Sequence, residues 1–306
     1  MTATYPRSAR AAAVRRRKQR RRRIRCCALA LALCAGGLYW LNRPGLERGP
    51  YFPQTQAAGV NTSGAGGFAP SGAQGAAGWD ADTTAALTAL AQTEPRVQAM
   101  LDDPAGWPAE VAALLARNPE TLEFVLAYPT LQGSEAPQKL DGVAKGDFPL
   151  LLQWDARWGC TAYGGSIMAV SGCGPTALSM VACGLTGDAA CTPAAIARWA
   201  DKNGYAGEGG TSWELMRSGC GQFGLQAEEL SLTRSAVYGA LAAGKPIICS
   251  MRPGDFTTAG HFIVLTGVED GQLRVLDPNS PSRSAALWDY DRLEPQIKNL
   301  WAYTAA

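Results

Sequence analysis

The stretches SGCGPTALSMV, residues 171–181, and HFIVLTGV, residues 261–268, decide the fold of this chain. In the first, Pro175 follows Gly-Cys-Gly and precedes small and apolar residues, which predicts a helix beginning near Pro175. The second is rich in β-branched and apolar residues, which predicts a buried strand. We therefore expect one domain that combines helices with strands.

Helix signals fill the first half of this domain, which spans residues 148–306. The predicted N-caps are Thr192, Thr211 and Thr233. Pro193 is a typical first helical residue, and Gly204 and Gly244 are typical stops. Glu214 has the spacing of a capping box with Thr211. Three helices are therefore predicted after Pro175.

Strand signals fill the second half. The apolar runs PIICSM at 246–251 and LRVLDP at 273–278 flank HFIVLTGV, and Asp270–Gly271 is a typical hairpin turn. The final NLWAYTA, residues 299–305, predicts a closing strand. A helical half followed by an antiparallel sheet places the domain in the α+β class.

Charge is divided unevenly along the chain. Residues 1–25 contain 11 of the 28 Lys and Arg and no acidic residue, so the remainder carries 17 basic and 26 acidic residues, a net charge of −9. Nucleic-acid binding depends on clustered Lys and Arg. An acidic main domain therefore argues against a nucleic-acid partner, and the basic run is expected to be a cytoplasmic tail.

The apolar stretch 26–41, CCALALALCAGGLYWL, follows that tail and predicts a transmembrane signal-anchor. As a helix it would span roughly 24 Å, and arginines on its N-terminal side predict a single pass with the rest of the chain outside the cell. A cleaved signal peptide, giving a secreted protein, is the alternative. A lipoprotein with Cys34 as its acylated residue is a weaker one, because Leu33 stands where a small residue is expected.

Three segments separate this anchor from the main domain. Residues 42–79 are rich in Gly, Ala, Ser, Gln and Pro and predict a flexible linker. Apolar residues recur at helical spacing over 80–130, with Asn118 and Pro119 as an N-cap and first helical residue, which predicts three or four short helices. A second linker, 131–147, follows.

Six of the nine cysteines lie beyond the apolar stretch. With one histidine and no Cys-x-x-Cys in this part, neither a metal nor another cofactor is predicted. If Cys173 is a free nucleophile, the other five could give one or two disulfides, and Cys183 with Cys191 is a candidate local pair. Unpaired, buried cysteines are an equal alternative.

Cys173, His261 and Asp277 form the candidate catalytic set. A thiolate is the nucleophilic form of cysteine, and both a helix N-terminus and an imidazolium favour it. His261 opens a strand after a Gly-rich loop, and Asp277 follows the partner strand sixteen residues later. A carboxylate there would orient the imidazole. Asn279 is the alternative orienting residue, and a plain turn is the alternative role of Asp277.

Five motifs, in order, resemble those of the bacteriocin-processing (double-glycine) cysteine peptidase-like family of the papain-like superfamily. They are QWDARWG, SGCGPTALSMV, GTSWELM, GDFTTAGHFIVLTG and VLDPNS. The resemblance implies a papain-like fold, a peptide or protein substrate, Cys173 as nucleophile, His261 as general base and acid, and Asp277 as orienting residue. It further implies an oxyanion-hole role for Gln153, which lies twenty residues before Cys173.

The chain also departs from that family. Its leader-processing members are joined to ATP-hydrolysing exporters, and this sequence has no G-x-x-x-x-G-K-[ST] motif, so cleavage after paired glycines is not implied. The helical segment 80–130 lies outside the resemblance. It could be a spacer, a substrate-docking module or an inhibitory pro-segment.

Three functions remain open at this stage. The first is an extracytoplasmic thiol hydrolase that cleaves peptide or amide bonds, in secreted peptides or in cell-wall peptide. The others are an acyl transferase that uses the same triad and a non-catalytic surface-binding module. Five aromatic residues could line a peptide groove but are more typical of core packing: Trp154, Trp158, Trp213, Phe256 and Phe262.

Overall fold

A six-stranded antiparallel sheet forms the centre of the C-terminal half of the chain. The computed structural model describes residues 78–207 and 210–306. In chain order the strands of this sheet are β5 Leu225–Glu229, β6 Ile247–Met251, β7 His261–Glu269, β8 Gln272–Leu276, β9 Leu287–Trp288 and β10 Ile297–Ala305. They are ordered β5-β10-β6-β7-β8-β9. Two short hairpins, β1 Ala162–Tyr163 with β2 Ser166–Ile167 and β3 Ala206–Gly207 with β4 Gly210–Thr211, lie among the helices.

The β7–β8 hairpin brings the start of one strand beside the end of the other. Asp270 and Gly271 both have positive φ, 50° and 81°, as a tight two-residue hairpin turn requires. The ladder pairs Val264 with Leu276. Because Asp277 follows Leu276 directly, it comes close to the beginning of β7. The predicted hairpin is confirmed.

Two features of the sheet differ from the sequence-based expectation. The last strand, β10, does not close the sheet but lies inside it between β5 and β6. Strand β5 was not predicted, because four of its five residues, in LQAEE, are at least partly exposed and its one buried residue is Leu225. An edge strand of this kind lacks the apolar alternation by which strands are recognised.

The C-terminal half of the chain also contains helices, some of which pack on the faces of the sheet. They are α5 Met168–Ser171, α6 Cys173–Thr186, α7 Pro193–Lys202, α8 Trp213–Arg217, α9 Arg234–Ala242, α10 Pro281–Ala285 and α11 Tyr290–Leu293. One hydrophobic cluster joins α6 and α7 to one face of the sheet, and a second joins α9 and α11 to the other. The α+β class is therefore confirmed.

The capping predictions are confirmed at two helices and wrong at one. Thr192 and Thr233 accept hydrogen bonds from backbone N–H groups three residues on. At α8 the N-cap is Ser212, which accepts from the N–H of Glu214. Thr211 instead belongs to strand β4. Thr211 and Ser212 are both suitable N-caps by residue type. Because Thr211 is part of the β3–β4 hairpin, Ser212 is the residue that caps α8.

Four short helices precede this domain, as predicted: α1 Ala81–Ala91, α2 Gln98–Asp102, α3 Ala109–Arg117 and α4 Leu122–Leu131. They share a third hydrophobic cluster, which also includes Ala169 of α5. Asn118 caps the turn that Pro119 begins. The helical segment therefore packs on the domain next to the turn that precedes Cys173.

The predicted cytoplasmic tail 1–25, signal-anchor 26–41 and nearly all of the linker 42–79 lie outside the described residues. Among residues 78–207 and 210–306, no helix is long and apolar enough to cross a membrane. Residues 132–147 contain no helix or strand and lie along the domain, where the N–H of Leu140 donates to the carbonyl of Ala189 at 2.9 Å.

Candidate active site

Cys173 is the first residue of helix α6. Gly172 is the N-cap, and its carbonyl accepts hydrogen bonds from the backbone and hydroxyl of Thr176 at 3.1 and 2.8 Å. The thiol is half-buried and unpaired. The N-terminal end of this helix of 14 residues therefore stabilises negative charge on the sulfur.

Gly172 and Gly174 flank the cysteine because of close packing, not because of conformational freedom. Gly172 has φ −86°, which any residue adopts. A Cβ on Gly172 would lie 2.7 Å from the sulfur of Met168, and one on Gly174 would lie 2.6 Å from the Cβ of Thr211. The Thr211 hydroxyl also hydrogen-bonds the buried phenol of Tyr163 at 2.8 Å. Only glycine lets β4 approach the start of α6 this closely.

His261 and Asp277 form a buried hydrogen-bonded pair. His261 Nε2 lies 2.7 Å from Asp277 Oδ1, and the exposed fractions of the two residues are 7% and 0%. The imidazole also interacts with the Cys173 thiol, which is among the groups that raise its pKa. Because Nε2 is used by Asp277, Nδ1 is the ring nitrogen left for the sulfur. The three residues singled out in the sequence are therefore brought together in the order Cys, His, Asp.

The charge of this pair is set by competing effects. Burial alone would lower the pKa of His261, but the Asp277 carboxylate and the contact with Cys173 outweigh it and raise that pKa to about 10. The imidazole is consequently a cation at neutral pH. A cation beside a thiol favours the thiolate, which is the reactive form.

Asp277 is held on three sides. Its Oδ1 also accepts a hydrogen bond from the N–H of Asn279 at 2.8 Å, and its Oδ2 accepts one from Arg283 Nε at 2.5 Å. Its own N–H donates to the hydroxyl of Ser284 at 2.8 Å. Burial opposes ionisation, but His261 and Arg283 together lower the pKa of Asp277. The carboxylate therefore stays charged and keeps one orientation.

Arg283 was not singled out in the sequence. It lies on α10, and its guanidinium carbon is also 5.8 Å from the centre of the Phe256 ring, in the loop that leads into His261. An arginine six residues after an aspartate has many ordinary surface roles, so only the fold reveals that it binds Asp277. The one local signal is Ser280, which caps the short helix that carries Arg283.

Asn279, the alternative orienting residue, makes different contacts. Its side-chain oxygen accepts a hydrogen bond from Asn118 at 3.1 Å, and its carbonyl accepts from Asn118 and from Trp154 at 2.8 and 3.2 Å. Its backbone N–H holds Asp277. The imidazole is thus bound by Asp277, and Asn279 supports that aspartate.

Gln153 lies between the cysteine and aspartate regions. Its backbone N–H donates to the carbonyl of Pro278 at 2.7 Å, and its side-chain Nε2 donates to the carbonyl of Ala169 at 2.8 Å. The second contact of Nε2, with the carbonyl of Val170, is long at 3.4 Å. Its Oε1 is buried and has no hydrogen-bond partner among the described residues. The amide is fixed at the turn that precedes Cys173.

The other thiols of the described residues are unpaired as well, so the expected Cys183–Cys191 disulfide is absent. The Cys183 thiol instead donates to the carbonyls of Asp188 and Cys191, at 3.6 and 3.7 Å. Burial raises the pKa of Cys183 to about 11 and that of Cys191 to about 12. Cys160, Cys220 and Cys249 likewise have pKa values raised by burial. These five cysteines fit the alternative of small core residues.

The five aromatic candidates divide into two groups. Trp158, Phe256 and Phe262 are buried in the core. Trp154 and Trp213 are half-buried, and their indole N–H groups donate to the carbonyl of Asn279 and to the hydroxyl of Ser250. Core packing therefore accounts for the first three.

Comparison with known proteins identifies a family for the C-terminal part of the chain. Residues 145–306 match the model of a family described as the Peptidase_C39 like family. A search of the curated proteins gives no match. Among solved structures, a similar chain is the peptidase domain of Streptococcus ComA, described as a bi-functional ABC transporter involved in a quorum sensing pathway. The two share 17% identity over 52% of this chain and 100% of that chain, with a TM-score of 0.37, too low for the likeness to bear on function.

Proposed function

Because this chain belongs to the Peptidase_C39 like family, we propose that it is a cysteine peptidase that cleaves peptide or amide bonds through Cys173, His261 and Asp277. One observation carries the proposal. The only histidine of the chain is buried, is hydrogen-bonded to a carboxylate and interacts with the thiol at the start of α6. A buried imidazole needs a hydrogen-bond partner in any case, so it is the cysteine at a helix start beside this pair that favours a catalytic role.

The proposed reaction uses these three groups in turn. The Cys173 thiolate attacks the carbonyl carbon of the scissile bond, and the oxygen of that carbonyl becomes negatively charged. The C–N bond then breaks, the imidazolium gives its Nδ1 proton to the leaving amine, and a thioester remains. Water attacks the thioester while the imidazole takes a proton from it. Cleavage of the C–S bond releases a carboxylic acid and restores the Cys173 thiolate and the His261 imidazolium.

Gln153 is proposed as a side-chain donor to the negative oxygen, together with the backbone N–H of Cys173. Support comes from its fixed amide at the turn before the cysteine. One N–H is committed to Ala169, whereas the 3.4 Å contact with Val170 is weak enough to exchange for a substrate oxygen.

We also propose that residues 26–41 anchor the chain and that the catalytic domain faces outward, as the arginines before the apolar stretch favour. Secreted peptides or cell-wall peptide would then be its substrates. Protease digestion of intact cells tests this orientation, because an outward domain is removed and a cytoplasmic one is protected.

The test of catalysis is iodoacetamide labelling of the full-length chain, with mass spectrometry locating the modified cysteine. Iodoacetamide should label Cys173 rapidly at pH 6–7. In His261→Ala the same labelling should be slow. Cys160 is the matched control, because it is also half-buried but has a pKa raised by burial. Equal, slow labelling of both cysteines would remove the proposal.

A peptide library then tests turnover. Cleavage that is lost in Cys173→Ala supports a hydrolase. Products linked to an added amine, in place of free acids, would show acyl transfer by the same three residues. Binding of peptide that survives Cys173→Ala, with no cleavage by the wild type, would identify a non-catalytic module.

A further inference from the structure

The helical segment, residues 81–131, lies outside residues 145–306, which match the family model. It nevertheless packs firmly on the domain. A Cβ on Gly159 would lie 2.5 Å from Cε2 of the Phe124 ring, and Ala169, just before the cysteine helix, is part of the segment's own hydrophobic cluster. The hydroxyl of Ser166 donates to Glu110 at 2.6 Å. Apolar and polar contacts thus fix the segment on one side of the candidate active site.

Two polar residues of the segment reach the turn that carries Asp277. Asn118 Nδ2 donates to the carbonyl and side-chain oxygens of Asn279, at 2.8 and 3.1 Å. Glu120 accepts a hydrogen bond from the hydroxyl of Ser282. These contacts join residues that are 161 and 162 positions apart in the chain.

The two contacts flank the groups that hold the carboxylate. Asn279 donates its N–H to Asp277 Oδ1, the same oxygen that lies 2.7 Å from His261. Ser282 directly precedes Arg283, which binds Oδ2. The segment therefore binds Asn279, which itself donates to Oδ1, and Ser282, the neighbour of the residue that binds Oδ2.

We propose that this helical segment is a positioning element of the catalytic centre, with Asn118 as its principal positioning residue acting through Asn279 on Asp277 and His261. Of the roles considered for the segment, this replaces spacer, substrate-docking module and inhibitory pro-segment. The inference rests on the proposed function, because it assigns the segment a part in that same triad.

The imidazole offers a direct measure of this positioning. The charged and titratable groups around it are Asp277 and Cys173, with Arg283 acting through Asp277. Because the chain contains one histidine, selective ¹⁵N-histidine labelling of a chain without a histidine tag yields the Nδ1 and Nε2 signals of one imidazole to titrate. If Asp277 turns away from Nε2, the pKa of His261 falls.

The decisive variant is Asn118→Ser in the full-length chain. Serine keeps an oxygen that can cap the turn, as Asn118 does for the N–H of Glu120, but it is too short to reach Asn279. Asp80→Ala is the matched control, because it removes an N-cap from the same segment at α1, where Asp80 accepts from Thr83 at 2.6 Å. A stability role alone predicts that the control is the more harmful change.

A positioning role predicts that Asn118→Ser is more harmful to activity than Asp80→Ala. In Asn118→Ser, kcat should fall by roughly three- to tenfold, as loss of one hydrogen bond implies, with KM within about twofold. The His261 pKa should fall by about half a unit to one unit, while Asp80→Ala leaves both values unchanged. Ser282→Ala, which removes the Glu120 contact from the domain side, should act in the same direction.

Other outcomes overturn the inference. Unchanged kcat and imidazole pKa in both Asn118→Ser and Ser282→Ala would make the segment a spacer, a rise in KM alone would make it a docking module, and a rise in activity would make it inhibitory. In each case a wild type that labels rapidly at Cys173 leaves the proposed function intact. Slow labelling of the wild type would instead overturn the proposed function itself.

Discussion

His261 Nε2 lies 2.7 Å from Asp277 Oδ1 across the mouth of the β7–β8 hairpin, with both side chains buried. Burial by itself would make both groups neutral, so the charged pair exists because each partner stabilises the other. The alkaline side of the activity profile is the observable consequence.

Activity that depends on the imidazolium should persist until the pH approaches 10, because the pKa of His261 is raised to about that value. In Asp277→Asn the carboxylate charge is lost, burial and the Arg283 cation remain, and only the contact with Cys173 still raises the His261 pKa, so the alkaline limb should move toward neutral pH. We expect kcat to fall on the order of 10²- to 10⁴-fold, as for loss of an orienting carboxylate. A profile of kcat/KM from pH 4 to 11 measures both effects. An unchanged limb would contradict the assignment of Asp277.

Gln153→Leu should lower kcat on the order of 10²- to 10³-fold, as expected for loss of one oxyanion-hole donor. The rate of Cys173 alkylation by iodoacetamide should change little, because alkylation creates no negative oxygen. The two rates therefore separate an oxyanion role from a structural one. If alkylation slows as much as turnover, Gln153 acts through the shape of the site.

Arg283→Met should destabilise the domain, because Asp277 Oδ2 would be left buried without its partner. The expected loss is on the order of 2 kcal/mol, or roughly 4–8 °C in the unfolding midpoint. Arg283→Lys keeps the charge but not the Nε geometry, so its unfolding midpoint should lie between those of the wild type and Arg283→Met. Thermal unfolding of the three proteins at pH 7 provides the comparison. A midpoint for Arg283→Met equal to that of the wild type would show that the pair adds nothing.

Gly174→Ala should cost about 1–3 kcal/mol and reduce activity, because the added Cβ would meet Thr211 beside the nucleophile. Thr211→Gly in the same chain should recover part of the loss. Gly239→Ala is the matched control, since Gly239 lies in helix α9 with open space around its Cβ position. That change should be neutral or stabilising by up to about 1 kcal/mol. Denaturant unfolding measures the free energy of unfolding of each variant. Equal changes in Gly174→Ala and Gly239→Ala would argue against close packing at Gly174.

Cys183 and Cys191 should both be recovered as thiols. Peptide mapping after alkylation in denaturant, without reduction, should find each in its modified form. Cys183→Ala should not change the amount of modified Cys191. A linked Cys183–Cys191 peptide in the native protein would contradict the hydrogen bonds assigned to these thiols.

Much of the fold was predicted from sequence signals that act over a few residues. Thr192 with Pro193, Thr233 with Gly244, and the Asp270–Gly271 turn act over a few residues of backbone, and all were predicted from the sequence. The order of Cys173, His261 and Asp277 was equally visible, because each residue stands at the start or end of an element where the chemistry can be reached.

Long-range packing decided the rest. No local pattern indicates that β10 pairs with β5 and β6, that Gly174 makes room for Thr211, or that Ser212 caps α8 in place of Thr211. Such features depend on contacts between elements that are distant in sequence. Backbone hydrogen bonds form between two strands in the same way whatever the number of residues that separates the strands along the chain.

The sequence by itself therefore determined most of the main helices and strands of this protein and its candidate reactive residues, since both follow from side-chain chemistry and short-range backbone preferences. Only the tertiary structure decided what holds the reactive residues in place. Arg283 and Asn118 are ordinary polar residues in the sequence, and they acquire a role because folding brings them to Asp277 and Asn279, where a buried carboxylate needs every available donor.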